Sequence, residues 1–307
     1  MSAPRRPPRR AVHGVLVLDK PLGLSSTAAL AKARWLLDAE KAGHAGTLDP
    51  LATGVLPICF GAATKLAQAG LEADKRYLAT LQLGETRVGG DREGEVLRTR
   101  TIDGIDGVRI AAELARFTGP ILQRPPMQSA VKVDGKPLYE LARKGIEIDR
   151  PTREIVVHRL DLVSLDAAGV LVLDVACSKG TYVRTLAEDL GEALGCGAHL
   201  AGLRRTAAGP FTVERATTLA ALEELAPADR DALLLPADAL VDGWPAVALP
   251  ADEAGRFLTG LRRRTGLADA ARVRVYGPPP GAFLGIARIA GGELIATRLL
   301  SPAEVQS

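Results

Sequence analysis

Aromatic side chains make up only 4% of this 307-residue chain, with four Tyr and two Trp among them. Stacking surfaces are therefore few, and the position of each Tyr carries information. Cysteine is scarcer still: Cys59, Cys177 and Cys196 are odd in number, far apart and form no C-x-x-C. That spacing excludes a disulfide framework and a cysteine zinc site, and it predicts small core residues of a reducing compartment. Four His in all leave no His-rich metal site. No apolar run reaches the ~18 residues of a membrane span, and no apolar segment follows the basic start as in a secretory leader. Neither G-x-G-x-x-G nor G-x-x-x-x-G-K-S/T occurs, so a nucleotide cofactor has no support.

What is present is apolar and evenly charged. Hydrophobic residues reach 47%, enough to bury the core of one large domain and a small one. The net charge of +3 is too small to demand an anionic partner, but its distribution is uneven. Arg5, Arg6, Arg9 and Arg10 crowd a Pro-rich start with no acid among them, and Arg262, Arg263 and Arg264 form a second cluster. Both suit phosphate contacts or, equally, a solvated surface. Residues 1–10 read as a basic tail, disordered unless RNA or DNA orders it.

Along the chain, Gly14 to Asp19 is a short apolar run that predicts a buried strand. Ser25, Ser26 or Thr27 can cap a helix over 27–40. Val55 to Phe60 reads as a strand and Ala62 to Ala73 as a helix. Tyr77 to Leu83 is a strand, the glycine-rich stretch 84–94 an exposed loop, and Ile110 to Phe117 a helix. Arg124 to Val133 reads as a proline-entered strand closed by the turn dipeptide Asp134-Gly135. Glu154 to Leu162 and Gly169 to Cys177 alternate as paired strands, and Ser178 to Thr181 leads into a helix. After Trp244-Pro245 the candidates are short strands: Val273 to Tyr276, Phe283 to Ile289 and Leu294 to Leu300. Strands joined by short turns, without strict β-α alternation, predict an α+β fold with a mixed, largely antiparallel sheet and a small β-rich C-terminal part.

Few places could hold chemistry. Asp49 is the one acid in the run His44 to Pro57, a segment dense in glycine and proline. The following Pro50 keeps it out of the helical region. Tyr77 stands at a strand start. Ser178 to Arg184 forms a polar cluster at a strand-to-helix junction. An Asp-Pro turn, a core Tyr and a surface Arg would explain each of these equally well. A lone acid argues against glycoside hydrolysis, which normally uses two carboxylates. A buried Asp49 would need a cation to stay ionised, and arginine binds a carboxylate best.

Six segments in register resemble the TruB family of pseudouridine synthases: Gly14 to Lys20 with Pro21 and Gly23, Ala42 to Gly54, Asp74 to Tyr77, Pro125 to Lys132, Tyr139 to Arg143, and Cys177 to Thr185. Residues 245–307 are similar to the small PUA-like domain of that family, chiefly over Gly285 to Leu300. The resemblance implies a catalytic domain over 11–244 and a PUA-like RNA-binding domain over 245–307. It implies isomerisation of a T-loop uridine, at position 55 of tRNA, without cofactor or metal, by a cytoplasmic protein whose partner is the T-arm stem-loop. A monomer is the simplest expectation.

The same resemblance assigns roles. Asp49 matches the nucleophile, with attack on the sugar C1′ or on the base left open. Tyr77 matches the tyrosine that stacks on the target base and is a candidate for proton transfer. Arg184 matches the arginine paired with the aspartate, and Asp91 an acid in that arginine network. Tyr182 and Leu203 match residues lining the uracil pocket. His44 matches the histidine that remodels the T-loop, and Lys20 and Lys132 fall at basic or structural positions. Arg87-Val88-Gly89 departs from the family's pattern just before Asp91, and Lys136-Pro137 departs from it as well. A base flipped from a loop costs a few kcal/mol, and stacking on Tyr returns roughly 1–3 kcal/mol. An RNA-binding protein using the same motifs without turnover is the competing expectation.

Overall fold

The computed structural model describes residues 9–129, 132–133, 135–142 and 144–305. The basic segment as far as residue 8, the Asp134 half of the expected turn and Arg143 lie outside the described residues, as do the side chains of Lys132 and Tyr139. The described residues form two compact units, one within 9–50, 54–72 and 208–305, the other within 51–53 and 73–207.

In the first unit the apolar run folds as the strand Gly14–Lys20, buried along almost its whole length. It pairs antiparallel with the strand Ala52–Phe60, in register from Gly14↔Phe60 to Lys20↔Gly54, and parallel with Thr217–Thr218. Side chains of Val15, Val17, Val55, Cys59, Leu66 and Phe211 close a dry core beneath it. The expected helix runs over Ser26–Leu36, and of the three candidate caps Ser25 is the one used: its hydroxyl accepts from the Ala28 N–H at 3.1 Å. It stops short of residue 40 because Asp38 turns into the left-handed region at φ 48°. The helix expected over 62–73 is split into a 3-10 turn, Gly61–Leu66, and a short helix, Ala67–Glu72.

The C-terminal part of this unit carries the expected strands as Ala270–Tyr276, Phe283–Ala290 and Glu293–Leu299. With Ala246–Ala248 and Arg263–Arg264 at its edges they form a five-stranded sheet. Its own core contains Val247, Phe257, Val273, Val275, Leu284 and Leu294. The arginine cluster there is largely neutralised. Arg262 lies 3.8 Å from Glu293 and Arg263 pairs with Glu253.

In the second unit the strands lie in the order Ala198–Ala208, Lys75–Leu83, Val170–Cys177, Arg153–Leu165, Gly119–Gln123. The last three pairings are antiparallel, so the largely antiparallel α+β architecture is observed. Lys75–Leu83 alternates buried and exposed residues, as a strand with one covered face must. The helix Val183–Ala193 buries Val183, Leu186, Ala187 and Leu190, and Arg184 among them.

Two expectations fail in this unit. Among the described residues of 124–133 the expected continuous strand is not observed: residues 124–129 are irregular, and Lys132–Val133 pairs with Lys136–Pro137. Pro125 and Pro126 lack the N–H a ladder requires. The stretch 84–94 is not simply an exposed loop either. Glu85–Arg87 pairs with Val96–Thr99, and Gly90 and Asp91 are buried.

Candidate active site

Asp49 sits on a loop of the first unit that is tied down on both sides. The Ser26 hydroxyl donates to the Leu48 carbonyl at 2.9 Å and accepts from the Leu48 N–H at 2.7 Å. On the other side the Gly23 N–H donates to the Pro50 carbonyl at 2.8 Å. Gly23 reaches it from a turn with φ +84°, which only glycine adopts without strain. Lys20 shapes that turn: it is fully buried, and its ammonium donates to the carbonyls of Pro21 at 2.8 Å and Leu24 at 2.6 Å. The half-buried Asp49 therefore has a fixed backbone on which to present its carboxylate. His44 ends the short strand Ala42–His44, opposite Ile58.

The second unit carries the candidate residues Tyr77, Asp91, Tyr182, Arg184 and Leu203. Tyr77 lies on the covered face of its strand at 8% exposure, two residues after the buried Lys75. Burial, then the charges of Arg205 and Lys179, bring the Lys75 ammonium down to about 8. Leu203 stands on the neighbouring strand, half-buried. Tyr182 caps the helix Val183–Ala193. The buried amide of Gln123 holds its backbone on both sides, accepting from the Tyr182 N–H at 2.7 Å and donating to the Tyr182 carbonyl at 3.0 Å.

Arg184 follows in the first turn at 5% exposure. Its guanidinium donates to the Gln128 carbonyl at 2.7 Å, to the Gln128 side chain at 3.4 Å and to the Gly89 carbonyl at 3.2 Å. The Asp91 carboxylate, also buried, lies 3.6 Å away. A buried guanidinium with directed acceptors is a fixed positive charge, able to stabilise an anion without reorganising.

The departure at Arg87-Val88-Gly89 acquires a structural meaning. Arg87 binds Glu85 at 2.5 Å and donates to the carbonyls of Arg92 at 3.2 Å and Gly94 at 3.1 Å. It braces the turn that presents Asp91. Asp91 is tied further by the Glu93 N–H, at 3.1 Å.

Reasoning from the sequence missed Gln123, Gln128, Ser26 and the pair Gly89-Gly90. The glycine pair gave the one usable signal. Both adopt positive φ, 79° and 75°. A Cβ on Gly89 would lie 2.7 Å from Gln128, and one on Gly90 2.6 Å from Glu188. Beside this turn is a cavity of about 550 Å³, lined in part by Gly89, Gln128, Arg150, Thr185 and Glu188.

The three cysteines are buried and free, and burial raises Cys59 to about 12 and Cys177 to about 11. Among the described residues no group of His, Cys, Asp and Glu could hold a metal ion, and no helix is long and apolar enough to cross a membrane.

The chain is similar to known proteins along most of its length. Residues 34–183 match the family described as TruB family pseudouridylate synthase (N terminal domain). Residues 184–242 match the tRNA pseudouridylate synthase B C-terminal domain, and residues 245–300 match Pseudouridine synthase II TruB, C-terminal. The tRNA pseudouridine synthase B of Verminephrobacter eiseniae is 52% identical over 97% of this chain and 91% of its own. That of Burkholderia mallei is 54% identical over 95% of this chain and 98% of its own. Among solved structures, a chain of a Cbf5-Nop10-Gar1 complex superposes with a TM-score of 0.72 at 27% identity, over 94% of this chain and 84% of that one. The chain belongs to the TruB family of pseudouridylate synthases.

Proposed function

We propose that the protein isomerises a uridine in the T-loop of tRNA to pseudouridine, with Asp49 as the nucleophile. The bond from C1′ to N1 breaks, the bond from C1′ to C5 forms, the C5 proton leaves to solvent and N1 takes up a proton. No water is consumed in breaking the glycosidic bond, so a second carboxylate is not required. The observation that carries this reading is the buried Arg184, held by Gly89, Gln128 and Asp91. In a chain of this family it matches the arginine that partners the catalytic aspartate. The tRNA substrate is supported by the names of the relatives.

The remaining residues divide the work. Tyr77 stacks on the flipped base, and Tyr182 and Leu203 line the uracil pocket. His44 acts on the loop of the RNA from which the base is drawn. Lys20 contributes through the Pro21–Leu24 turn that ties Pro50. The C-terminal sheet serves as a PUA-like RNA-binding domain.

A T-arm stem-loop carrying tritium at uracil C5 tests the proposal. Incubation with the protein releases tritium to water, and Asp49→Asn abolishes the release. Binding without release would leave an RNA-binding module in place of an enzyme. Release that survives Asp49→Asn would remove the nucleophile assignment.

A further inference from the structure

One half-buried acid is left over from the chemistry above. Glu188 lies on the helix Val183–Ala193, one turn beyond Arg184, so the two side chains share a helix face. Its carboxyl is packed against the backbone of Gly90: a Cβ there would meet its Cδ at 2.6 Å and its oxygens at 2.8 and 2.9 Å. At the adjacent residue the Gln128 side chain packs as closely on Gly89, at 2.7–2.8 Å from a Cβ position. The Gly89-Gly90 turn is thus held by two polar side chains. The peptides it carries are the ones that hold the guanidinium, through the Gly89 carbonyl and the Asp91 carboxylate.

We propose that Glu188 is a positioning residue for Arg184, fixing the Gly89-Gly90 turn and with it the direction of the guanidinium. The proposal rests on the catalytic reading of Arg184 given above. The contact has a geometric consequence. Arg184 has no freedom to follow a shifted turn, because its second nitrogen is bound to the Gln128 carbonyl at 2.7 Å. A turn that relaxes into space vacated by Glu188 takes the Gly89 carbonyl and Asp91 away from the guanidinium. Thr185, between Arg184 and Glu188 in the chain, has a buried hydroxyl with no hydrogen-bond partner, so it supplies no substitute tie.

Glu188 is also a charge switch. Burial first, then Asp189 and Asp91, push its carboxyl up to about 7, against the opposing pull of Arg184 and Arg150. Below that pH a neutral carboxyl packs on Gly90 and leaves Asp91 as the carboxylate facing the guanidinium from the turn. Above it, a second anion competes for Arg184 and repels Asp91. The neutral form is the working form.

The test uses tritium release from the T-arm stem-loop and, separately, RNA affinity by filter binding. Wild-type turnover is measured first, because its absence would refute the enzymatic reading and not this one. With wild type active, Glu188→Ala lowers kcat by about 10- to 100-fold, the scale of a misplaced catalytic group, with Kd for the RNA little changed. Glu188→Gln restores most of that loss and removes the fall in kcat that wild type shows as pH rises through about 7. Gly90→Ala also lowers kcat, partly through the strain of a side chain at φ +75° and partly through the clash with Glu188, so its loss in a Glu188→Ala background is smaller than in wild type. Circular dichroism of each variant separates misfolding from misplacement. Turnover of folded Glu188→Ala equal to wild type would overturn the proposal. So would equal losses in the Ala and Gln variants, a loss confined to RNA affinity, or independent effects of Gly90→Ala and Glu188→Ala.

Discussion

Replacing Arg184 by Ala removes one side chain and strands another. At 3.6 Å the Arg184–Asp91 attraction amounts to about 5 kcal/mol at an effective dielectric of about 20, before desolvation is subtracted. Both partners are about 95% buried, so the Asp91 carboxylate cannot simply turn to bulk water. Removing one member of such a pair costs about 3–5 kcal/mol, mainly as the penalty of the charge left behind. Two backbone acceptors, at Gly89 and Gln128, lose their charged donor as well. Urea unfolding of Arg184→Ala therefore shows a midpoint well below wild type.

The double variant Arg184→Ala/Asp91→Asn removes the orphaned charge and recovers roughly half of that loss. For the folded fraction, tritium release falls on the order of 100- to 1,000-fold, the scale for deleting a preorganised charge at a reacting centre. RNA affinity changes only several-fold. Two results would refute the reasoning. One is strict additivity of Arg184→Ala and Asp91→Asn in stability, which would mean that the two charges are not coupled. The other is an equal loss of binding and turnover, which would make Arg184 a general RNA contact.

Other perturbations follow the same geometry. Lys20→Met keeps the length of the side chain but not its two bonds to Pro21 and Leu24. Tritium release drops, and cleavage by a protease specific for the 21–24 turn rises, whereas an unchanged rate would mean that Asp49 does not depend on the turn. Tyr77→Phe keeps the stacking surface, so RNA affinity stays within about threefold while turnover drops, and a full loss of affinity would count against stacking. Burial raises the Glu304 carboxyl, but the bonds from Lys65 and Ser301 outweigh it and hold the group down at about 2. The stability it contributes is present above the unfolded value of about 4.3 and is lost as pH falls through the range from there to about 2. The thermal midpoint of Glu304→Gln is therefore below wild type at pH 7 and converges with it near pH 2. A constant difference across that range would contradict the Lys65 pairing.

Most strands could be read from the sequence, because each is either an unbroken apolar run or a clean alternation. Val15 to Leu18 and Lys75 to Leu83 show the two patterns. Helix ends were less legible. A left-handed Asp38 cuts the first helix short, and no periodicity announces that turn. The segment 124–133 misled for a different reason: its apolar residues suggested a strand, while its prolines and the Gln128 carbonyl serve a loop that holds Arg184.

The site divides in the same way. Sequence alone identified Asp49, Tyr77, Tyr182 and Arg184 as candidates, because a displayed acid, a strand-start tyrosine and a junction arginine are local features. It also assigned the family, since six ordered motifs lie within one chain. It did not supply the ties that hold Asp49 in its loop. Ser26 reaches Leu48 across 22 residues, and Gly23 reaches the Pro50 carbonyl. Nor did it reveal that Gln128 and Gly89, separated from Arg184 by 56 and 95 positions, hold its guanidinium. Local chemistry is written along the chain and can be read there. The direction in which a buried charge points depends on carbonyls brought to it by distant segments, and only the folded structure decides which ones arrive.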